Sequence, residues 1–371
     1  MSRIENEWRE APIVWLTGVR RVGKTTLAQS LGDKAQYVNC DLPVVTDMTS
    51  DPELFYKNAE RPVIIFDEIH QLPDPSKLLK IGADVFPDIK ILATGSSTLA
   101  ASYRFKDTLT GRKRTVHLTP VLYDEIDAFD ATLAKRLFHG GLPQALLAKK
   151  KDPGFYREWM DSFFARDVQK LFSFRDVQKF NSVLEYLLKQ SGGMFEITRT
   201  ARALGISRPT IENHLRALEI TNAVTLVRPF HSGGKRELLR MPKVYGFDTG
   251  FVSFARGWDP LRPEDNGKLW EHVVLEYLQT NAPDTVVGYW RDKDEHGVDF
   301  VMPRKRNTID AVECKWDPKD FSAAGIKAFR SRYPRGNNYV ISPISGNGYA
   351  KKVFGIEVYI CSPPGWRKSI G

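Results

Sequence analysis

An α/β chain is predicted, with a parallel sheet covered on both faces at its N-terminal end, a helix-turn-helix module behind it and a second α/β domain at its C-terminal end. Three observations carry this. Short apolar runs at 13–17, 63–66 and 89–94 alternate with helical stretches, the signature of strands buried on both faces of a parallel sheet. A glycine-bearing loop, Gly18-Val19-Arg20-Arg21-Val22-Gly23-Lys24-Thr25, joins the first run to a helix over 25–31. Beyond residue 262, strand-like runs and helices resume a mixed α/β pattern. At 371 residues the chain is longer than one hydrophobic core usually spans, so two or three domains are expected.

The loop has the form G-x-x-x-x-G-K-T. Glycine lets the backbone wrap closely round phosphate groups, so that successive N–H groups and the N-terminus of the following helix face an anion. Gly18, Arg20, Arg21, Val22, Gly23, Lys24, Thr25 and Thr26 are therefore expected to hold nucleotide phosphates. Lys24 is expected on the β- and γ-phosphates, and the Thr25 hydroxyl on Mg²⁺.

The second run, Val63-Ile64-Ile65-Phe66, ends in Asp67-Glu68 and resembles a Walker B strand. Asp67 is then a Mg²⁺ ligand, directly or through water, and Glu68 a general base polarising the water that attacks the γ-phosphate. Hydrolysis of ATP is what the two motifs predict together. The third run leads into Gly95-Ser96-Ser97, where Ser96 is expected to sense the γ-phosphate; a serine after a strand is equally a helix N-cap. Thr110-Gly111-Arg112-Lys113-Arg114 reads as a basic loop. From it Arg112 is expected to reach a neighbouring subunit's nucleotide, which implies a homo-oligomer, arranged as a ring.

The segments GVRRVGKTTL, VIIFDEIHQL and ILATGSS, with TGRKRTVHLTPV, HGGLPQAL, KVYGFDTGF and the GVDFVM and ECKW pair, resemble the AAA-superfamily P-loop ATPases of bacteria and archaea whose C-terminal half is a widespread domain of uncharacterised function. The resemblance covers most of the chain and implies ATP and Mg²⁺ as cofactors. The segment before the first strand lacks an obvious base-contacting residue, so the choice of adenine is not legible.

A net charge of +9 suits a polyanionic partner, and basic residues gather at Arg199, Arg202 and Arg208, at Lys235 and Arg236, and from Arg304 to Lys315. No stretch reaches the ~18 apolar residues of a membrane helix, and residues 1–12 have no apolar leader core. A cytoplasmic protein without membrane association is expected. Cys40, Cys314 and Cys361 are too scattered for a metal-ligand spacing or a disulfide framework.

A helix over 177–190, apolar at Phe180, Val183, Leu184, Leu187 and Leu188, stops at Ser191-Gly192-Gly193. A short helix marked by Ala201 and Leu204, a turn at Gly205, and a second helix capped by Ser207 with Ile211, Leu215 and Leu218 inward make a helix-turn-helix. Its outer face presents Arg208, Thr210, Asn213 and His214, residue types that contact phosphates and base edges. A strand at 223–227 and a basic tip carrying Lys235 and Arg236 complete the pattern of a winged helix, so DNA is the expected partner. A module that packs or contacts protein is the other reading.

From Trp270-Glu271-His272 onward the order is helix to about 278, strands at 286–290, 297–301 and 309–316, a helix near 323–332, and strands at 339–342 and 356–360. This is similar to the core of restriction-endonuclease-like folds, and Asp299 with Glu313-Cys314-Lys315 reproduces their D…E-x-K arrangement. Strand alternation puts Glu313 and Lys315 on one face. Asp299 and Glu313 are expected to bind Mg²⁺, with Glu271 as a further ligand. Lys315 then orients or deprotonates the attacking water, or stabilises the charge that develops. Such a fold also serves as a binding platform without cleavage.

The expected organisation is a P-loop AAA-type core at 1–130, a helical lid and connector at 131–176, a winged helix at 177–262 and a restriction-endonuclease-like domain at 263–371. Trp159, Phe163 and Phe164 in the connector read as core aromatics. The expected function is a Mg²⁺-dependent AAA-type ATPase that binds and remodels or processes DNA. Its alternatives are a DNA-remodelling motor without cleavage and a nucleotide-switched regulator of a protein partner.

Overall fold

The computed structural model describes residues 1–95, 108–172, 174, 176–231, 241–304, 308–346 and 348–370. The chain divides into two compact units, one of residues 1–119, 161–175 and 220–222, the other of 120–160, 176–219 and 223–371.

In the first unit the apolar runs become β1 (Ile13–Thr17), β2 (Ala35–Asn39), β3 (Val63–Asp67), β4 (Lys90–Thr94) and β5 (Lys113–His117). All neighbours are parallel, in the order β2-β3-β4-β1-β5. Because both faces are covered, successive residues enter opposite cores. Ile13, Trp15, Ile64, Phe66, Ile91 and Ala93 pack with Tyr56, Leu78 and Leu79. Val14, Leu16, Ile65, Leu92 and Val116 pack with Ile4, Trp8 and Ala28. Uninterrupted apolar runs are the sequence consequence of that double burial. Parallel strands also end at one edge, and Leu16 stands opposite Thr94 while Phe66 stands opposite Ala93. The ends of β1, β3 and β4 therefore lie side by side where chain order reverses across the sheet, the edge at which open α/β sheets hold ligands.

The second unit contains a small antiparallel sheet of β6 (Gly193–Met194), β7 (Val224–Val227) and β8 (Lys243–Gly246), in the order β6-β8-β7. Around it stand helices Val177–Lys189, Ile197–Leu204 and Arg208–Ile220, the last two joined through Gly205. The apolar faces read from the sequence are buried, with Phe180, Val183, Leu184, Leu187, Leu188, Ile211, Leu215 and Leu218 all inside.

Its larger sheet comprises β9 (Gly288–Arg291), β10 (Gly297–Pro303), β11 (Ile309–Cys314), β12 (Asn338–Ile341), β13 (Tyr349–Val353) and β14 (Ile356–Cys361), in the order β13-β14-β12-β11-β10-β9. Edge strand β13 is absent from the sequence expectation. Its Tyr-Ala-Lys-Lys-Val is mostly exposed, so it has neither an apolar run nor a buried alternation, and edge lysines also blunt pairing with other chains. At the other edge β9 is continued by 228–230: Tyr289 N–H donates to Arg228 O at 3.1 Å and Phe230 N–H to Tyr289 O at 2.7 Å. The two sheets are thus joined through the backbone following β7.

Helix Leu133–His139 packs on helix Thr249–Ala255. The approach is close enough that a Cβ on Gly250 would meet His139 O at 2.1 Å, and one on Gly140 would meet Asp248 Oδ1 at 1.9 Å. Buried Asp248 accepts Gly141 N–H at 2.6 Å and Gly250 N–H at 2.8 Å. Arg136, fully buried, donates to Val121 O, Thr249 Oγ1 and Glu276 Oε2 at 2.6, 2.8 and 2.5 Å. Trp159, Phe163 and Phe164 are buried, as expected of core aromatics. Among the described residues no helix is long and apolar enough to cross a membrane.

Candidate functional site

At the shared edge of β1, β3 and β4 the loop after β1 turns into helix Lys24–Gln29. Gly18 is required there by space, since a Cβ would lie 2.4 Å from Leu118 O. Arg21, at φ 59°, and Glu68, at φ 55°, are left-handed without being glycine, a conformation costing about 1–2 kcal/mol per residue. Both strained residues flank the same edge. Lys24 Nζ donates to Gly18 O at 2.9 Å and Val19 O at 3.1 Å, folded back onto its own loop. Burial lowers its pKa, while the carboxylates of Glu68, Asp167 and Asp67 act in the opposite direction.

Asp67, buried at the end of β3, is the centre of a hydroxyl network. Thr25 Oγ1 donates to its Oδ2 at 2.9 Å, Tyr37 OH to the same oxygen at 2.6 Å, and Thr94 Oγ1 to its Oδ1 at 2.5 Å. Thr94 Oγ1 also accepts Glu68 N–H at 3.0 Å. The Glu68 carboxylate is partly exposed, 3.2 Å from His70 Nδ1. A carboxylate beside a threonine hydroxyl at the start of a helix is the oxygen donor set that magnesium takes with phosphate and water, so Thr25 and Asp67 fit the ion. Arg20 Nη1 lies 3.2 Å from Asp167 Oδ2, on the π-turn Phe164–Val168.

A second cluster forms in the other unit. A bulge in β10 against β9, between Val298 and Val301, lies around Asp299. Its Oδ2 accepts Cys314 N–H from β11 at 2.9 Å. Lys315 Nζ is 2.9 Å from Glu313 Oε2 and 3.8 Å from Asp299 Oδ2, so the residues two apart share a face as alternation predicts. From helix Pro263–Asn281, Glu271 Oε1 is 2.8 Å from Lys243 Nζ and accepts Tyr245 OH at 2.5 Å. Burial, reinforced by the charge of Asp299, pushes the Glu313 carboxyl up to about 8 and raises Glu271 as well. Burial works against the ammonium of Lys315, but Asp299 and Glu313 outweigh it and raise its pKa.

On helix Arg208–Ile220, Ser207 Oγ caps the first turn, 3.4 Å from Thr210 N and 2.8 Å from Thr210 Oγ1. Arg208 is exposed and pairs with Glu212 at 2.9 Å; Asn213 is also exposed.

Residues 10–127 match the family described as the AAA domain. The phosphate loop and its sheet lie within that match. Residues 130–262 match the domain of unknown function DUF8612, and residues 266–358 the domain of unknown function DUF4143. The uncharacterized proteins Rv2008c of Mycobacterium tuberculosis and Mb2031c of Mycobacterium bovis are each 29% identical over 313 residues, 81% of this chain and 70% of theirs. Among solved structures, a Walker-type ATPase of Pyrococcus abyssi is 15% identical, with 69% of this chain and 94% of that one covered at a TM-score of 0.43. Thermococcus gammatolerans McrB AAA+ hexamers with bound McrC give 13% identity, 51% coverage of each chain and a TM-score of 0.24.

Within the matched residues the structure brings Gly18, Lys24, Thr25, Asp67 and Glu68 together. Ser96 lies outside the described residues. Thr94, two residues earlier and inside β4, adds its hydroxyl to those of Thr25 and Tyr37 on Asp67. Arg112, expected at a neighbouring subunit's nucleotide, lies away from the phosphate loop of its own chain. Its carbonyl accepts Ile13 N–H at the beginning of β1, the opposite end of the sheet, and its guanidinium is held by Asp84 Oδ1 and Oδ2 at 2.6 and 3.0 Å.

Two expectations for the other unit need correction. His214 is buried, its ring 5.4 Å from that of Phe180, and faces the core rather than a groove. The helical period explains it, since position 214 falls between inward Ile211 and Leu215. Glu271 does not form a three-carboxylate nest with Asp299 and Glu313. Among the described residues, three ligand atoms within 4.8 Å of one another occur at Asp292, Asp294 and His296 instead. Glu271 is Lys243's partner, which leaves Asp299 and Glu313 as the two carboxylates that flank Lys315. Lys235 and Arg236 lie outside the described residues. Lys243 and Tyr245 join the Asp299 cluster through Glu271 without any signal in the sequence pattern.

Proposed function

We propose that this chain is a Mg²⁺-dependent ATPase that binds and processes DNA, with its helix-turn-helix and three-stranded sheet acting as a winged helix and the Asp299 cluster as a nuclease-like centre. The observation that carries the ATPase reading is the contact of Thr25 with Asp67 at the mouth of the phosphate loop, next to the strained, partly exposed Glu68. Magnesium held there lends positive charge to the phosphate oxygens. Lys24 exchanges the loop carbonyls for the β- and γ-phosphates. Glu68 accepts a proton from the water whose oxygen bonds to the γ-phosphorus as the bond to the β-phosphate oxygen breaks. Self-assembly into a ring belongs to this proposal, with the neighbour's contribution open to any exposed cation.

The DNA reading is supported by the exposed Arg208 and Asn213 and by the convergence of Asp299, Glu313 and Lys315. The paired carboxylates keep Lys315 as an ammonium, which favours stabilisation of the developing phosphate charge over a role as base. In hydrolysis the water oxygen bonds to phosphorus as it gives up a proton to solvent, a P–O ester bond breaks, and the leaving oxygen takes a proton from solvent.

The test follows ATP consumption and duplex DNA cleavage together. Lys24→Ala is expected to lose nucleotide binding, while Glu68→Gln keeps binding and loses turnover. Asp299→Asn and Lys315→Ala are expected to lose cleavage with ATP turnover retained. Normal hydrolysis in both AAA-domain variants overturns the ATPase reading. DNA-stimulated ATP turnover without wild-type cleavage makes the protein a remodelling motor, and indifference of both signals to DNA makes it a nucleotide-switched regulator.

A further inference from the structure

The acidic cluster holds more positive charge than the D…E-x-K pattern supplies. Lys243 enters it from β8, a strand of the small sheet, with Nζ 2.8 Å from Glu271 Oε1 and 4.0 Å from Asp299 Oδ1. Lys315 enters from the large sheet in a matching position, 2.9 Å from Glu313 Oε2 and 3.8 Å from Asp299 Oδ2. Asp299 therefore stands between two ammonium groups, each bound to a different second carboxylate. Tyr245, two residues along β8, donates to the same Glu271 oxygen and fixes it.

An ammonium has three N–H donors. Among the described residues Lys243 Nζ has one hydrogen-bond acceptor, Glu271, because 4.0 Å to Asp299 is too long for such a bond. Donors remain for an incoming oxygen. The side chain is only 15% exposed, so its charge is largely desolvated, and a desolvated charge is worth retaining where a second anion is to be met. β8 is the central strand of the small sheet, so Lys243 stands on the sheet that accompanies the helix-turn-helix.

We propose that Lys243 is a phosphodiester anchor: its ammonium donates to a non-bridging oxygen of a duplex DNA phosphate seated at Asp299, with Lys315 flanking the same phosphate. This rests on the reading of the cluster as nuclease-like. Glu271 is the resting partner that keeps the ammonium aimed, and Tyr245 keeps Glu271 in place.

The experiment measures equilibrium binding of a short duplex by the intact chain across a salt series in Ca²⁺, beside cleavage in Mg²⁺. Lys243→Gln is expected to weaken binding about tenfold and to make the salt dependence shallower by about one ion, with Lys243→Arg restoring the slope. Lys319→Gln, an exposed lysine elsewhere on the same unit, sets the effect of a bare charge loss. Thermal unfolding confirms that each variant is folded. A Lys243→Gln slope equal to wild type, or a loss no larger than that of Lys319→Gln, overturns the anchor, and so does a wild type that fails to bind duplex. Wild-type cleavage with an unchanged Lys243→Gln slope removes the anchor and keeps the nuclease reading. A Lys243-dependent slope without any cleavage keeps the anchor and removes the nuclease.

Discussion

Thr94 stands between Asp67 and Glu68: its hydroxyl donates to the Asp67 carboxylate at 2.5 Å and accepts the Glu68 backbone N–H at 3.0 Å. One side chain thus sets both the carboxylate assigned to the metal and the backbone that carries the assigned base. Thr94→Val keeps the shape and removes both bonds, at about 1.5–3 kcal/mol for a hydrogen bond to a charged group. ATP turnover is expected to fall at least tenfold with nucleotide affinity little changed, and Thr94→Ser is expected to recover most of it. Steady-state hydrolysis beside equilibrium nucleotide binding checks this, and equal turnover in Thr94→Val removes the residue from the mechanism.

Asp167 is a competitor for the cations that phosphate needs. It pairs with Arg20 in the loop, and its charge acts on Lys24. Asp167→Asn is expected to tighten nucleotide binding severalfold, with little effect on melting because a partly exposed pair contributes at most about 1 kcal/mol. A titration with a fluorescent nucleotide measures it; unchanged or weaker affinity counts against the competition.

His117, at the end of β5, has its pKa lowered to about 4 by burial and by the nearby charges of Lys24 and Arg3. An unfolded histidine titrates near 6.5, so below that pH the unfolded chain binds a proton that the folded one refuses. Stability is expected to be fully present above about 6.5 and to fall from there to about 4, where the folded ring also protonates. His117→Gln should flatten that limb in denaturant melts run at several pH values. An equally steep limb in the variant would place the acid sensitivity elsewhere.

Arg136 is expected to be the costliest cation to remove. Arg136→Met leaves Glu276 with a buried carboxylate and strips acceptors at Val121 and Thr249, for a loss of about 3–5 kcal/mol. Arg136→Lys is expected to rescue little, because one ammonium cannot reproduce a planar fork aimed at three partners. Chemical denaturation of both variants decides this.

His214→Phe is expected to leave DNA binding at the wild-type level, since the ring packs on Phe180, whereas Arg208→Ala weakens it by about 1–3 kcal/mol. A mobility-shift titration separates the two. Loss of DNA binding in a well-folded His214→Phe protein would return the histidine to the interface.

What was legible in the sequence is what local physics enforces. Residues buried on both faces of a parallel sheet must be apolar, so β1, β3 and β4 announce themselves and their shared edge follows. Gly18 and Lys24 are readable because close approach to phosphate demands those residue types at that spacing. Thr94 is hidden by the same logic, since a threonine ending an apolar run reads as strand filler while Ser96 beyond it looks available. Lys243 and Tyr245 lie 28 and 26 residues before Glu271, in a strand whose alternation accounts for them fully until the sheets are joined. Nothing local distinguishes them. His214 is different: the inward period of Ile211, Leu215 and Leu218 already contained it.

The contact between Gly140, Asp248 and Gly250 constrains how this chain can change over generations. No side chain fits at either glycine while Asp248 and the His139 carbonyl hold their positions, and Asp248 in turn is kept buried by the Gly141 and Gly250 amides. Single substitutions meet a collision at either glycine or, at Asp248, strand the Gly141 and Gly250 N–H groups without an acceptor. Drift at this junction must proceed by coordinated replacement, so two segments more than a hundred residues apart in the chain share one mutational fate.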